Sequence, residues 1–235
     1  MRWSEEAGKV EWERFFPFIS VLKKEEREQL AVHAKCARFQ KNENLHGADG
    51  ECTGLILIEQ GIVRVYMMSE EGKEITLYRL RPGDICLLSA SCVLESITFD
   101  VFVDAQTDCQ VCIVPAGFAA SLSKQYLEVE NYLLKTATER FSDVMWAMQQ
   151  ILFLRFDQRL AVFLIDEAAQ RATDTLYMTQ EEIARSIGSA REVVSRMLKY
   201  FASEGLVRIL RGGVEILDKT RLRKLTQSAD RKSVV

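Results

Sequence analysis

Apolar residues recur along this chain with different spacings in different segments. Between residues 11 and 33, Phe15, Phe16, Ile19, Leu22 and Leu30 supply one apolar face and KKEEREQ a wet one, which predicts helix across the span. From about Phe39 to Pro115 short β-rich runs follow one another: GLILIE, IVRVYMM, EITLYRL, FDVFVDA and CQVCIV. Turns at Gly50, Gly61, Glu71-Gly72 and Pro82-Gly83 separate them. Short strands at regular spacing predict an antiparallel jelly roll (double-stranded β-helix) or barrel. From about Phe118 to Gln150 there is neither proline nor glycine. Here Leu134, Ala137, Phe141, Val144, Met148 and Ile151 are spaced 3, 4, 3, 4 and 3 apart. So narrow a stripe predicts a helix partner, hence a dimer seam, because a helix packed on a sheet shows a wider apolar face. A core helix packed on its own domain is the other reading. Met145 and Leu152 form a second stripe, which could face the barrel.

After Arg155 the pattern predicts a helix from Gln158 to Arg171, a break at RATDT, and two short helices around Gly188. Thr179 and Glu182 form a T-x-x-E capping box, and Ser189 with Glu192 an S-x-x-E box. Ile183 and Ile187, then Val193, Val194, Met197, Leu198 and Phe201, supply the buried side. Arg191, Glu192, Ser195, Arg196 and Lys199 are left on or near the exposed side. LVRILRGGVEIL predicts two strands joined at Gly212-Gly213, and the basic tail is expected to end without order. The result is an α+β chain in three parts. Residues 1–124 are expected to form a jelly roll with N-terminal helices, 125–155 a dimerisation helix, and 156–235 a helix-turn-helix with a hairpin wing.

Charge sharpens the picture. The net charge of -3 hides 12 basic against 5 acidic residues from Arg185 to Val235, and 19 against 29 before it. A local basic surface is what phosphate binding requires. Arginine can donate two hydrogen bonds to a guanine edge, and glutamate can accept from cytosine. Arg191, Glu192 and Arg196 near a helix N-terminus are placed to enter a major groove. Thr179, Ser189, Lys199 and, from the wing, Arg211 join the candidate DNA-contacting set. The competing reading makes Glu192 a capping residue and the arginines salt-bridge partners.

These residues resemble the winged helix-turn-helix of the Crp/Fnr family of bacterial transcription regulators, whose recognition helix commonly reads S-x-R-E-x-V-x-R. The order of elements is similar over nearly the whole chain, including PGD before the ligand-binding segment. The resemblance implies double-stranded DNA, a second copy of the chain and RNA polymerase as partners. It also implies that Arg191, Glu192 and Arg196 read bases, with Ser195 contributing. Members with Arg-Glu-x-x-x-Arg favour half-sites like TGTGA, and those with Glu-x-x-Ser-Arg favour TTGAT. This chain carries both signatures, so a G·C pair inside the half-site is the shared expectation.

The sensor half departs from the cyclic-nucleotide-binding members. After PGD there is no Arg or Lys between Arg81 and Lys124, and Phe99 with Asp100 stands where the resemblance places the phosphate arginine. Cyclic AMP is therefore not the expected effector. Cys86, Leu87, Leu88, Ser89, Ser91, Cys92 and Phe99, with Met145, Met148 and Leu152, are the expected pocket. Those walls suit an uncharged or weakly polar small molecule, or thiol chemistry at Cys86 and Cys92; a pocket filled by its own side chains is the alternative. In a strand Cys109 and Cys112 point to opposite faces, so that CxxC should not share a ligand. No cysteine precedes Cys36, which argues against the iron–sulfur cluster of the oxygen-sensing members. His33 and His46 lack metal-ligand spacing, so neither a metal nor any other cofactor is expected. Two isolated histidines also argue against a cupin-type enzyme. A regulator without an effector stays open. No apolar run reaches the ~20 residues of a membrane helix, and the N-terminus lacks a signal-peptide core. A cytoplasmic protein with six reduced cysteines is expected.

Overall fold

The computed structural model describes residues 2–4, 10–47, 53–90 and 101–227. The chain separates into two compact units, Met1–Met68 with Leu77–Val144, and Ser69–Thr76 with Met145–Val235.

The first unit opens with β1 (Arg2–Ser4). Helix is then confined to α1 (Trp12–Phe15), a 3-10 turn at Ile19–Val21 and α2 (Lys24–His33), so the continuous helix expected over 11–33 is broken. Pro17 is the physical reason: it has no N–H to donate and disfavours helix at the residue before it. The apolar face survives the break, for Phe15, Phe16, Ile19, Leu22 and Leu30 are all buried. The strands follow as β2 (Lys35–Phe39), β3 (Asn44–His46), β4 (Leu55–Gln60), β5 (Val63–Met68), β6 (Glu74–Leu80), β7 (Ile85–Cys86), β8 (Phe102–Ala105) and β9 (Cys109–Val114). They form two sheets, ordered β1-β2-β9-β4-β7 and β3-β8-β5-β6.

Alternation sorts their side chains. Ile56, Ile58, Val111 and Ile113 of the first sheet meet Val63, Val65 and Val103 of the second in one buried cluster. The other face of the first sheet, with Cys36, Leu57, Cys112 and Val114, lies under Phe15, Phe16 and Leu30, under α3 (Ala116–Gln125), and under the start of α4 (Leu127–Phe153). Cys109 falls in the first cluster and Cys112 in the second, so the two do face opposite ways. The expectation of free thiols is corrected at one pair: Cys36 and Cys112 are disulfide-bonded. The β2–β9 register sets them opposite one another across 76 residues of sequence, a pairing no local pattern reveals.

The apolar seam lies on α4, a helix of 27 residues. Leu134, Phe141, Met148 and Ile151 are exposed, whereas Ala137 and Val144 are half-buried against the clusters of the first unit. Met145 and Leu152 are exposed too.

The second unit continues through α5 (Phe156–Arg171), β10 (Thr175–Leu176), α6 (Gln180–Ile187), α7 (Arg191–Ser203), β11 (Val207–Leu210), β12 (Gly213–Ile216) and α8 (Lys219–Gln227). Strand β10 falls where only a break is expected, because two residues are too few to show alternation. It pairs with β12, giving the sheet order β10-β12-β11. Opposite Leu210 stands Gly213, so the hairpin turns at Arg211-Gly212, one residue earlier than expected. Gly213 is instead a ladder residue, where an added Cβ would lie 2.7 Å from the Leu176 carbonyl oxygen. The basic tail forms α8, with Leu222 fully buried in this unit's core; residues 228–235 lie outside the described ones. No helix among the described residues is long and apolar enough to cross a membrane.

Candidate nucleic-acid interface

The helix pair is built by local chemistry. Thr179 closes the N-terminus of α6: its hydroxyl accepts from the Glu182 N–H at 3.1 Å, and its own N–H donates to the Glu182 carboxylate at 2.7 Å. Gly188, at φ 63°, ends α6 in the left-handed conformation that favours glycine. The Ser189 N–H then donates to the Ala184 carbonyl at 2.9 Å. Helix α7 is capped by Ala190 without a side-chain hydrogen bond, which corrects the expected Ser189/Glu192 box. The correction matters, since Glu192 is released from capping. From α5, the Arg159 guanidinium donates to the Ile187 carbonyl and ties that helix to the turn.

Val194, Leu198 and Phe201 of α7 are fully buried. The opposite face presents Arg191, Glu192, Arg196 and Lys199 to solvent, with Ser195 half-buried beside them; Thr179 and Arg211 are exposed as well. Among the described residues, none of Arg191, Glu192, Arg196, Lys199 and Arg211 forms an ion pair. Nearby charges behave differently: Arg185 pairs with Glu181 at 3.6 Å, Arg208 with Glu215 at 3.1 Å, and Arg221 with Glu204 at 3.5 Å. The salt-bridge reading thus fits α6, the wing and the end of α7, and among the described residues it does not fit the face of α7 that carries Arg191, Glu192, Arg196 and Lys199. An exposed arginine with all its donors open can form the bidentate contact that a guanine edge accepts.

Comparison with known proteins agrees with this geometry. Residues 158–225 match the Crp-like helix-turn-helix domain, and residues 36–126 match the cyclic nucleotide-binding domain. A crystal structure from Eubacterium rectale, of a protein assigned to the crp/fnr family of transcriptional regulators, is 41% identical. It superposes with a TM-score of 0.86 over 91% of this chain and 99% of that one. This chain belongs to the Crp/Fnr family. The cAMP-activated global transcriptional regulator Vfr of Pseudomonas aeruginosa is 25% identical over 190 residues, 77% of this chain and 89% of that protein. The transcriptional activator protein anr of the same organism is 26% identical over 192 residues, 78% and 77% of the two chains. Like these relatives, the chain is a DNA-binding transcription regulator and not an enzyme.

A Crp/Fnr chain with a cyclic nucleotide-binding domain points to a small-molecule effector, and the structure redraws the expected pocket. Cys86 and Leu88 face the cluster between the two sheets, but Leu87 faces the cluster beneath α1 and α2. Leu87 therefore leaves the pocket set, since successive side chains of an extended segment point opposite ways. The Ser89 hydroxyl, fully buried, lies 2.8 Å from the Gly54 carbonyl oxygen and 3.1 Å from that of Cys86. It is occupied by backbone. Burial pushes the Cys86 thiol up, with hydrogen bonds from Ser89 and Leu88 opposing. Ser91, Cys92 and Phe99 lie outside the described residues.

Polar groups that sequence reasoning passed over gather beside Cys86. Arg140 of α4 stands over the Tyr78 ring, 5.3 Å from its centroid, and pairs with Asp143 at 2.9 Å. The Tyr78 hydroxyl and the Arg140 Nε–H are buried without an N or O partner among the described residues. Burial pushes the Tyr78 hydroxyl well above its usual range, Cys86 adds to the rise, and Arg140 opposes it. Burial likewise pushes the Asp143 carboxyl up, with Arg140 opposing. The segment after PGD lacks a cation; here one arrives from a helix more than fifty residues later. Its signal was available in sequence as a lone arginine one residue before Phe141 in the apolar seam.

Proposed function

We propose that this chain is a homodimeric regulator that reads a pseudo-palindromic duplex through α7, under control of a small molecule other than a cyclic nucleotide. The exposed, unpaired set Arg191, Glu192 and Arg196 near the start of α7 carries the reading. Arg191, Glu192 and Arg196 read bases, Ser195 assists, Lys199 and Arg211 contact phosphates, and Ser189 and Thr179 belong to the same DNA-contacting set. Half-site centres then lie about one helical turn, ~34 Å, apart. Residues 1–124 sense, 125–155 dimerise and 156–235 bind DNA; RNA polymerase is the further partner and the cytoplasm the place of action.

The exposed apolar residues Leu134, Phe141, Met148 and Ile151 support dimerisation through α4, because such a stripe on one helix is costly to leave in water. Light scattering should find a dimer at micromolar concentration, and Phe141→Asp a monomer, since a desolvated charge costs several kcal/mol. A stable wild-type monomer contradicts the seam.

Absence of Arg and Lys between Arg81 and Lys124 supports an effector without a cyclic phosphate. The Tyr78 hydroxyl and Arg140 Nε–H, without an N or O partner among the described residues, favour one that brings hydrogen-bond acceptors. Calorimetry with cyclic AMP should show no binding at micromolar concentration; micromolar affinity overturns this part.

A further inference from the structure

We propose that Cys36 and Cys112 are a reversible thiol–disulfide exchange site, through which small thiols and disulfides act on this regulator. The two cysteines are direct partners in the β2–β9 ladder, with Cα atoms 4.0 Å apart and sulfurs bonded. That ladder runs from Lys35–Ile113 to Phe39–Cys109. Backbone hydrogen bonds therefore hold the strands in register whether or not the sulfurs are joined. A reduced pair stays poised for reoxidation, which distinguishes it from a disulfide that must itself hold two loops together.

A third group belongs to the site. The Glu59 carboxylate on β4 lies within 4.8 Å of both sulfurs, and Gln110 Nε2 donates to it at 2.8 Å. Negative charge there disfavours a thiolate on either cysteine, so it restrains the rate of exchange. Both sulfurs are almost fully buried, and an outside reagent reaches them only when the layer over the sheet lifts locally.

The chemistry closes with a low-molecular-weight disulfide as oxidant. One cysteine, as thiolate, attacks R–S–S–R, forming a mixed disulfide and releasing one R–S⁻, which takes up the proton that the cysteine lost. The other cysteine then displaces the second R–SH, so that two thiols and R–S–S–R become one protein disulfide and two R–SH. Excess R–SH runs the sequence backwards.

The consequence follows from packing. Parting the sulfurs to van der Waals contact needs roughly 1.5 Å more than a bond allows. A close-packed core absorbs that only by shifting neighbours. Cys36 and Cys112 share their cluster with Val129 and Leu133 of α4. The sulfur state thus biases the seating of the helix that bears the apolar seam. This last step rests on the dimer and DNA reading proposed above; the sulfur chemistry does not.

The test uses the full chain in mixtures of oxidised and reduced glutathione, quenched with N-ethylmaleimide and mapped by peptide mass spectrometry. Cys36 and Cys112 should lose and regain label together, with the same midpoint from either direction. A pair that stays bonded in excess dithiothreitol until the protein unfolds, or stays reduced in excess oxidised glutathione, overturns the proposal. Glu59→Gln should speed exchange about two- to fivefold. An unchanged rate removes Glu59 from the site. Oxidised and reduced wild type should differ about fivefold or more in dimer or DNA affinity, and Cys36→Ser and Cys112→Ser should abolish the difference. Equal affinities with intact exchange overturn the coupling to α4. Absence of DNA binding in both states counts against the proposed function and leaves the sulfur site standing.

Discussion

On α7 the side chains of Arg191, Glu192, Arg196 and Lys199 stand in solvent without ion pairs among the described residues, whereas in the first unit the Tyr78 hydroxyl and the Arg140 Nε–H are buried near Cys86. The two arrangements differ in what they cost. An exposed charge left unpaired loses little, since a surface ion pair is worth only ~0–1 kcal/mol. A buried hydroxyl or guanidinium N–H left without a partner costs about 1–3 kcal/mol. Leaving α7 bare therefore needs no compensation and keeps its donors open. The Tyr78 hydroxyl and the Arg140 Nε–H, without an N or O partner among the described residues, carry that cost even though Arg140 also pairs with Asp143.

The comparison can be broken first at its scaffold. Phe201, fully buried beneath the bare face of α7, should cost about 3–5 kcal/mol when replaced by alanine, measured by chemical denaturation, with DNA binding lost alongside. Near-wild-type stability would mean that α7 is not held by this core.

The buried side predicts a smaller effect of unusual sign. Tyr78→Phe removes a buried hydroxyl that has no N or O partner among the described residues, so stability should be unchanged or rise by up to ~1 kcal/mol, while effector response is lost. The pH dependence follows from the raised Tyr78 and Cys86 groups. In alkali the unfolded chain releases both protons first, and the folded chain keeps them. Stability therefore falls as pH rises through the ordinary thiol and phenol range, about pH 8.5 to 10. Tyr78→Phe and Cys86→Ala should each flatten that decline. Denaturation midpoints with the same alkaline slope as wild type would contradict the burial of these groups.

How much of this was legible depended on range. The Thr179–Glu182 box, the Gly188 turn and the buried face of α7 are written within a few residues of one another, and the structure reproduces them. Errors there were single-residue ones: the cap of α7 at Ala190 and the wing turn at Arg211-Gly212. The strand runs were also legible, because burial on alternate faces imprints itself locally. What joins them was not. The meeting of Tyr78, Cys86 and Arg140, and the bond from Cys36 to Cys112, depend on sheet order and register, which leave no mark on neighbouring residues. The bare face of α7 is legible because one helix encodes it; the buried cluster at Cys86 needs the whole first unit.

The central claim is that the bare charges of α7 read bases, and Arg196 tests it most directly. Arg196→Ala and Lys199→Ala are to be titrated against an operator selected from genomic DNA and against random duplex, each over a series of salt concentrations. Arg196→Ala should lose roughly 1–3 kcal/mol on the operator, mostly at one G·C pair, and little on random DNA. Lys199→Ala should weaken both alike and flatten the salt slope by about one. If Arg196→Ala weakens operator and random DNA equally, α7 is a phosphate-binding face and the base-reading account is wrong.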